Sequence, residues 1–167
     1  SIKSNEIARI LREGYKVERL NDGITELIHE LDLDYLFIDT HPGVNEETLL
    51  SIALSDLLVL IMRPDHQDFQ GTAVTIELAR RLDVPDIMLI LNKIPQNAIA
   101  EPLVRKVEES YDIKVSGMLP LSGEIANLGS GSLFINAFPT HPFTVEVKRL
   151  AASIVATHPG KSRVEAG

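Results

Sequence analysis

The sequence predicts an α/β protein: a three-layer, mostly parallel sheet with helices on both faces. Short apolar runs at 35–39, Leu57–Met62, 87–91 and 114–119 are too compact, and too rich in Leu and β-branched residues, to be helices. Longer amphipathic stretches alternate with them, which is the pattern of strands joined by crossover helices. The 167 residues, 44% hydrophobic and 24% charged, fit one soluble domain with a sizeable core and leave no room for a large second one.

Each element has its own local reason. Residues 4–12 suit a short helix. After a cap at Asn21 or Asp22, the stripe Ile24, Leu27, Ile28 and Leu31 follows helical spacing. The run 35–39 then reads as the first strand. Residues 45–55 form a helix with Asn45 as N-cap and Glu46 and Glu47 in the first turn, where the helix dipole favours acids. Leu57–Met62 is the next strand. Val74, Leu78, Ala79 and Leu82 mark a helix before the strand 87–91. Ile99, Leu103 and Val107 mark another before 114–119, and Phe143, Val147, Leu150 and Ile154 mark the last. Residues 157–167 have almost no apolar surface and read as a disordered tail. The tripeptide Thr-His-Pro occurs at 40–42, 140–142 and 157–159, which local turn chemistry explains without a shared role.

Composition removes several functions. With 16 Lys+Arg against 24 Asp+Glu the net charge is −8, which opposes wholesale wrapping of the chain by DNA or anionic lipid. The absence of cysteine excludes a disulfide framework, a thiol nucleophile, and zinc or iron–sulfur sites built on Cys of this chain. Residues 1–13 do not resemble a signal peptide and the run 56–62 is too short to span a bilayer, so the expected location is cytoplasmic.

In a parallel sheet all strands end on one edge, so the residues just after each run are expected to meet there. Those residues are Asp39-Thr40-His41-Pro42-Gly43, Arg63-Pro64-Asp65, Asn92-Lys93-Ile94-Pro95 and Pro120-Leu121-Ser122. An acid at the end of a buried strand suits a Mg²⁺ site, directly or through water, and a glycine shortly after it lets a backbone amide approach a γ-phosphate. Asp39 is accordingly the candidate metal-shell residue and Gly43 the candidate sensor, a loop-capping Asp being the plainer alternative. Asn92, with both donor and acceptor groups, suits an adenine edge. The Lys93 stem packs along the base in this reading, or is simply solvated. Pro95 stands where a guanine-reading Asp would be needed.

Together these residues resemble the C-terminal two-thirds of a deviant-Walker P-loop ATPase of the MinD/ParA family. The run Asp34-Tyr-Leu-Phe-Ile-Asp39-Thr-His-Pro-Gly43 is similar to the family's switch II. The strand Leu57–Met62 with Pro64, followed by 69–82, resembles its next strand and long helix. Leu89-Ile-Leu-Asn92-Lys93 resembles its adenine-side loop. Met118-Leu-Pro120, with Glu124-Ile125 after it, resembles the segment whose backbone borders the adenine. The resemblance covers residues 1–156. It implies a P-loop NTPase-like fold, ATP and Mg²⁺ as cofactors, Asp39 and Gly43 as catalytic residues, and Thr40, Pro42, Asn92, Lys93 and Pro120 as the nucleotide-binding set.

One departure limits that inference. The sequence has no Gly-x-x-x-x-Gly-Lys-Ser/Thr and no Lys-Gly-Gly variant of it, so nothing in it cradles β- and γ-phosphates. The expectation is a domain lacking its N-terminal P-loop part, whose longer parent hydrolyses ATP while this chain alone is inactive. The resemblance further implies an ATP-dependent homodimer and an activating partner protein, serving to position chromosome, plasmid or cell-division cargo. DNA is a candidate surface through Lys148, Arg149, Lys161 and Arg163, against which the −8 charge counts. Membrane anchoring is disfavoured because 157–167 offers only Val164 and Ala166 as apolar side chains besides Pro159. Two readings compete: a receiver-like module phosphorylated at Asp39, with Lys93 after a later strand, and a nucleotide-free scaffold.

Overall fold

Three of the four apolar runs become strands. The computed structural model describes residues 14–41, 43, 45–95, 99–129 and 131–159, apart from the side chains of 15–19 and 46. The expected helix at 4–12 and the end of the tail lie outside the described residues. In chain order the elements are α1 (Gly14–Glu30), α2 (Glu46–Ala53), β1 (Leu57–Met62), α3 (His66–Arg81) and β2 (Asp86–Ile94). They continue with α4 (Ala100–Tyr111), β3 (Val115–Pro120), α5 (Gly123–Leu128), α6 (Phe134–Ala137) and α7 (Pro142–Thr157). The sheet order is β1-β2-β3. Strands β2 and β3 are parallel, with Leu89 opposite Val115, Ile90 opposite Gly117 and Leu91 opposite Met118. This is the expected three-layer α/β fold, a mostly parallel sheet flanked by helices.

The fourth run departs from expectation. Residues 35–39 form no strand or helix, and Phe37 is 81% exposed. A strand is completed by a neighbour that takes its backbone N–H and C=O groups, and no described strand pairs with this one. Helix α1 also differs: it begins at Gly14 and runs straight through Asn21 and Asp22, the expected cap. Good helix formers on both sides outweigh the local capping chemistry there. Its stripe is only partly covered, with Leu27 and Leu31 exposed. On α3 the buried face is carried by Ile76, Leu78 and Ala79, while Val74 is exposed.

A device that pattern reading missed ends three helices. Asp32, Asp83 and Asp112 follow α1, α3 and α4 with φ of 50°, 55° and 53°. Asp is among the few non-glycine residues that take the left-handed conformation readily. The apolar residue after it turns the chain back onto its helix, as when Leu33 N–H donates to Ile28 C=O at 3.0 Å and Val84 N–H to Ala79 C=O at 3.1 Å.

The chain forms two compact units. One holds the described residues of Ser1–Leu58, Glu77–Asp86 and His158–Gly167; the other holds Val59–Ile76 and Ile87–Thr157. In the first, the Tyr35 hydroxyl donates to His158 C=O at 2.7 Å and His158 Nε2 lies 3.3 Å from Asp86 Oδ2. In the second, Met62, Ile76, Leu89, Leu91, Ile94, Val107 and Tyr111 form the buried core. Burying such side chains contributes roughly 1.5–3 kcal/mol each. Helices α4 and α7 both pack on β3. The seat for α7 is Gly117: a Cβ there would lie against Glu146 Oε1 and 2.9 Å from both Arg149 Nη2 and Leu150 Cδ2.

Candidate functional site

The end of β2 is where the backbone leaves its regular course. Register with β3 shifts between Leu91 and Ile94, so Asn92 and Lys93 form an irregularity at the C-terminal end of the central strand. Lys93 has φ of 56°, a conformation that disfavours a side chain with a Cβ. The local reason is Asn92, whose Oδ1 accepts the Lys93 N–H at 2.8 Å. This bond occupies one acceptor position of the amide and leaves its NH₂ donors for another group. Bulges of this kind re-aim side chains beside functional sites. Beyond it the two strands rejoin: Ile94 lies opposite Pro120 and the Leu121 N–H donates to Ile94 C=O at 2.8 Å. Asn92, Lys93 and Pro120 therefore share one corner of the sheet edge, as the sequence predicts.

The neighbouring strand end is charged. Asp65 caps α3, its Oδ1 accepting the Asp68 N–H at 2.9 Å. Asp68 reaches back to the Arg63 N–H at 2.8 Å and grips the guanidinium twice, at 3.1 Å each. Arg63 Nε also lies 3.3 Å from Asp65 Oδ2. The Arg63 hydrogen bonds hold the Asp68 carboxyl below the usual carboxylate range, and Lys93 adds a smaller attraction. Sequence reading singled out Arg63 and Asp65 but missed Asp68. The signal was present as an acid three residues after a capping Asp, a variant of the capping box.

After β3, Ser122 caps α5 by accepting the Ile125 N–H at 3.3 Å, and its hydroxyl donates to Glu124 at 2.7 Å. That bond is the main reason the Glu124 carboxyl titrates below its usual range. His141 stands 3.9 Å from Glu124 and edge-on to the Phe134 ring. Between α3 and α4 a cavity of about 490 Å³ is lined by Pro64, Phe69, Leu103 and Tyr111, with Lys106 set 5.3 Å from the Phe69 ring centre.

The switch-like residues belong to the first unit. Asp39, Thr40 and His41 are exposed and lie outside any helix or strand. Gly43 has φ of 110°, and among the described residues nothing lies within 4 Å of where a Cβ would stand. Asn45 caps α2 as expected, accepting the Thr48 N–H at 2.8 Å. Pro42, expected in the nucleotide-binding set, lies outside the described residues. Among the described residues no group of three or more acids or histidines could hold a metal ion alone. A single carboxylate still fits Mg²⁺, which keeps several waters and takes its other ligands from phosphate.

The fold is similar to that of MinD cell division proteins. The MinD cell division protein of Aquifex aeolicus matches with a TM-score of 0.70 at 15% identity, over 81% of this chain and 61% of that one. A MinC:MinD cell division protein complex from the same organism matches with a TM-score of 0.70 at 15% identity, over 81% of this chain and 59% of that chain. In sequence, an uncharacterized ATP-binding protein of Methanocaldococcus jannaschii is 29% identical over 84 residues, 49% of this chain and 32% of that protein. No protein-family profile matches. The chain thus spans about a third of that sequence relative and about three-fifths of the MinD structures. Among the described residues no helix is long and apolar enough to cross a membrane.

Proposed function

We propose that this chain is the switch and base-side portion of an ATP-dependent dimerisation switch of the MinD/ParA type. The observation that carries the reading is the Asn92–Lys93 irregularity beside Pro120, at the C-terminal end of the central strand of a MinD fold. In an open α/β sheet ligands bind in the crevice beyond that edge. The adenine lies against Asn92 and the Pro120 backbone, with the Asn92 NH₂ donating to a ring nitrogen and the Lys93 stem along the base. Asp39 holds the metal shell, and Gly43, flanked by Thr40 and Pro42, registers the terminal phosphate. Mg²⁺ when bound supplies charge neutralisation at the phosphates.

The residues of this chain fit the base and the switch but bring no phosphate cradle, so that part of the site is assigned to polypeptide N-terminal to Ser1. The proposed protein acts in the cytoplasm as a homodimer in its ATP state and answers to an activating protein partner. A MinC:MinD cell division protein complex is among the similar structures, which supports a protein partner. Arg149, a candidate for DNA contact, is engaged by Glu146 and by the backbone of Ser116.

The coding sequence upstream of Ser1 tests the proposal, a Lys-Gly-Gly-x-Gly-Lys-Thr element being the expected finding. In the polypeptide that carries it, ATP·Mg²⁺ binds by calorimetry, and Asp39→Ala abolishes hydrolysis while leaving the circular dichroism spectrum unchanged. Unchanged turnover in that variant removes the Mg²⁺ role. Retained phosphoryl label at Asp39 after treatment with acetyl phosphate replaces the whole reading with a receiver module.

A further inference from the structure

Among the described residues no further strand pairs with the outer edge of β3, and side chains take backbone groups there instead. Val115, Gly117 and Met118 have partners on β2, and a register shift between Val115 and Gly117 leaves Ser116 unmatched. Two backbone groups of this stretch, the Ser116 C=O and the Met118 N–H, bond to side chains of one helix. Their partners come from α7. The Arg149 guanidinium donates to Ser116 C=O, and the Met118 N–H donates to Glu146 Oε1 at 3.2 Å. These are the acceptor and the donor that an added strand would take.

Glu146 and Arg149 also hold each other, with Nε to Oε2 at 2.8 Å and Nη2 to Oε1 at 2.7 Å. Such a two-bond carboxylate–guanidinium contact is rigid. Its hydrogen bonds with Arg149 keep the Glu146 carboxyl below the usual range, so the pair stays charged at neutral pH. Gly117 is what lets it reach the edge, since a Cβ at that position would collide with both side chains. The strand itself, Val-Ser-Gly-Met-Leu-Pro, has no charge with which to repel a neighbour. Pro120 protects its end but not its middle.

We propose that the Glu146–Arg149 pair is an edge guard, which denies β3 to the β3 strand of a second copy of this chain. It turns a complete, uncharged strand edge into a terminal one and leaves sheet growth to other sites. The occupant kept out is a like strand, because the blocked groups are backbone and carry no sequence preference beyond a short uncharged run.

The cysteine-free sequence supplies the test. In a Ser116→Cys reporter, disulfide-linked dimers form slowly when the guard is intact. Adding Glu146→Ala and Arg149→Ala to the reporter speeds their formation at least about tenfold, as expected for an unblocked edge. If the double alanine variant loses its helical signal, Arg149→Gln, which keeps most of the aliphatic stem, carries the same comparison. Hydrogen exchange on the unsubstituted chain reads the guard directly, with the Met118 amide protected and the protection lost when Glu146 is replaced by Gln. Equal cross-linking rates in variants that keep their circular dichroism, or a Met118 amide that exchanges freely in the unsubstituted chain, overturn the proposal.

Discussion

Residues 35–39 and 87–91 read alike, yet one ends as a largely exposed stretch without regular structure and the other as the centre of a sheet. Leu89 and Leu91 are 0% exposed, whereas Leu36, Phe37 and Ile38 all lie open. Apolar character does not separate them: Tyr-Leu-Phe-Ile-Asp ends in a polar residue, and Ile-Met-Leu-Ile-Leu is followed by one, Asn92. Position does. The 87–91 run lies within β2, which has β1 on one side and β3 on the other, and its side chains meet Met62, Ile76 and Val107 in one core. No described strand lies beside 35–39. An apolar run therefore sets a preference for extended backbone, and neighbours on its edges and faces convert that preference into buried structure.

The sharpest way to break the comparison is to remove the packing that β2 has and 35–39 lacks. Leu91→Ala is expected to cost about 3 kcal/mol in urea unfolding, as for a large-to-small change in a closed core. Gly117→Ala attacks the cover rather than the core by forcing α7 away from β3, and is expected to cost about 1–3 kcal/mol. Asn45→Ala touches only the start of α2, a few residues after 35–39, and should cost about 1 kcal/mol. Acid titration gives a smaller effect. The Asp68 carboxyl is held below its unfolded value, so its contribution is complete above about pH 4 and fades as pH falls through the folded-state pKa. Asp68→Asn should flatten that acid limb, an effect kept small by the exposure of the Arg63 pair. Smallest of all, Phe37→Ser should leave the stability of this chain within about 0.5 kcal/mol of the unsubstituted one. A cost at Phe37 as large as that at Leu91 would mean that the two runs are equally enclosed.

Much of the architecture was legible because it depends on local periodicity. Leu57–Met62 forms a strand with its expected limits, and Asn45 caps α2 as its residue type suggests. The stripe Phe143, Val147, Leu150 and Ile154 marks α7 correctly because helical spacing survives whatever the helix packs on. The start of α1 was misread because Asn-Asp-Gly has strong capping chemistry that a long helix can override. The left-handed Asp residues escaped because glycine, the usual residue there, is absent.

At the candidate site the division is similar. Asn92, Lys93 and Pro120 were legible as strand-end residues, and the fold brings them to one corner. The irregularity in β2 was not legible, because it arises from register against β3 and from the Asn92 side chain closing on the next N–H. Asp68 was invisible as a partner of Arg63 until the turn into α3 folded it back.

The sequence by itself determined three strands and the longer helices in kind, which residues stand at their ends, and the lack of a phosphate-cradling loop. Those follow from side-chain period, residue type and spacing, which act within a few residues. Tertiary structure alone decided that 87–91 is enclosed and 35–39 is not, that Lys93 is held in a left-handed turn, and that Glu146 and Arg149 close the edge of β3. The enclosure of 87–91 and the closure at β3 depend on groups far apart in the chain, and the turn at Lys93 on register against β3 as well as on the adjacent Asn92; competition for the same backbone donors, acceptors and apolar surface is settled only when the elements pack.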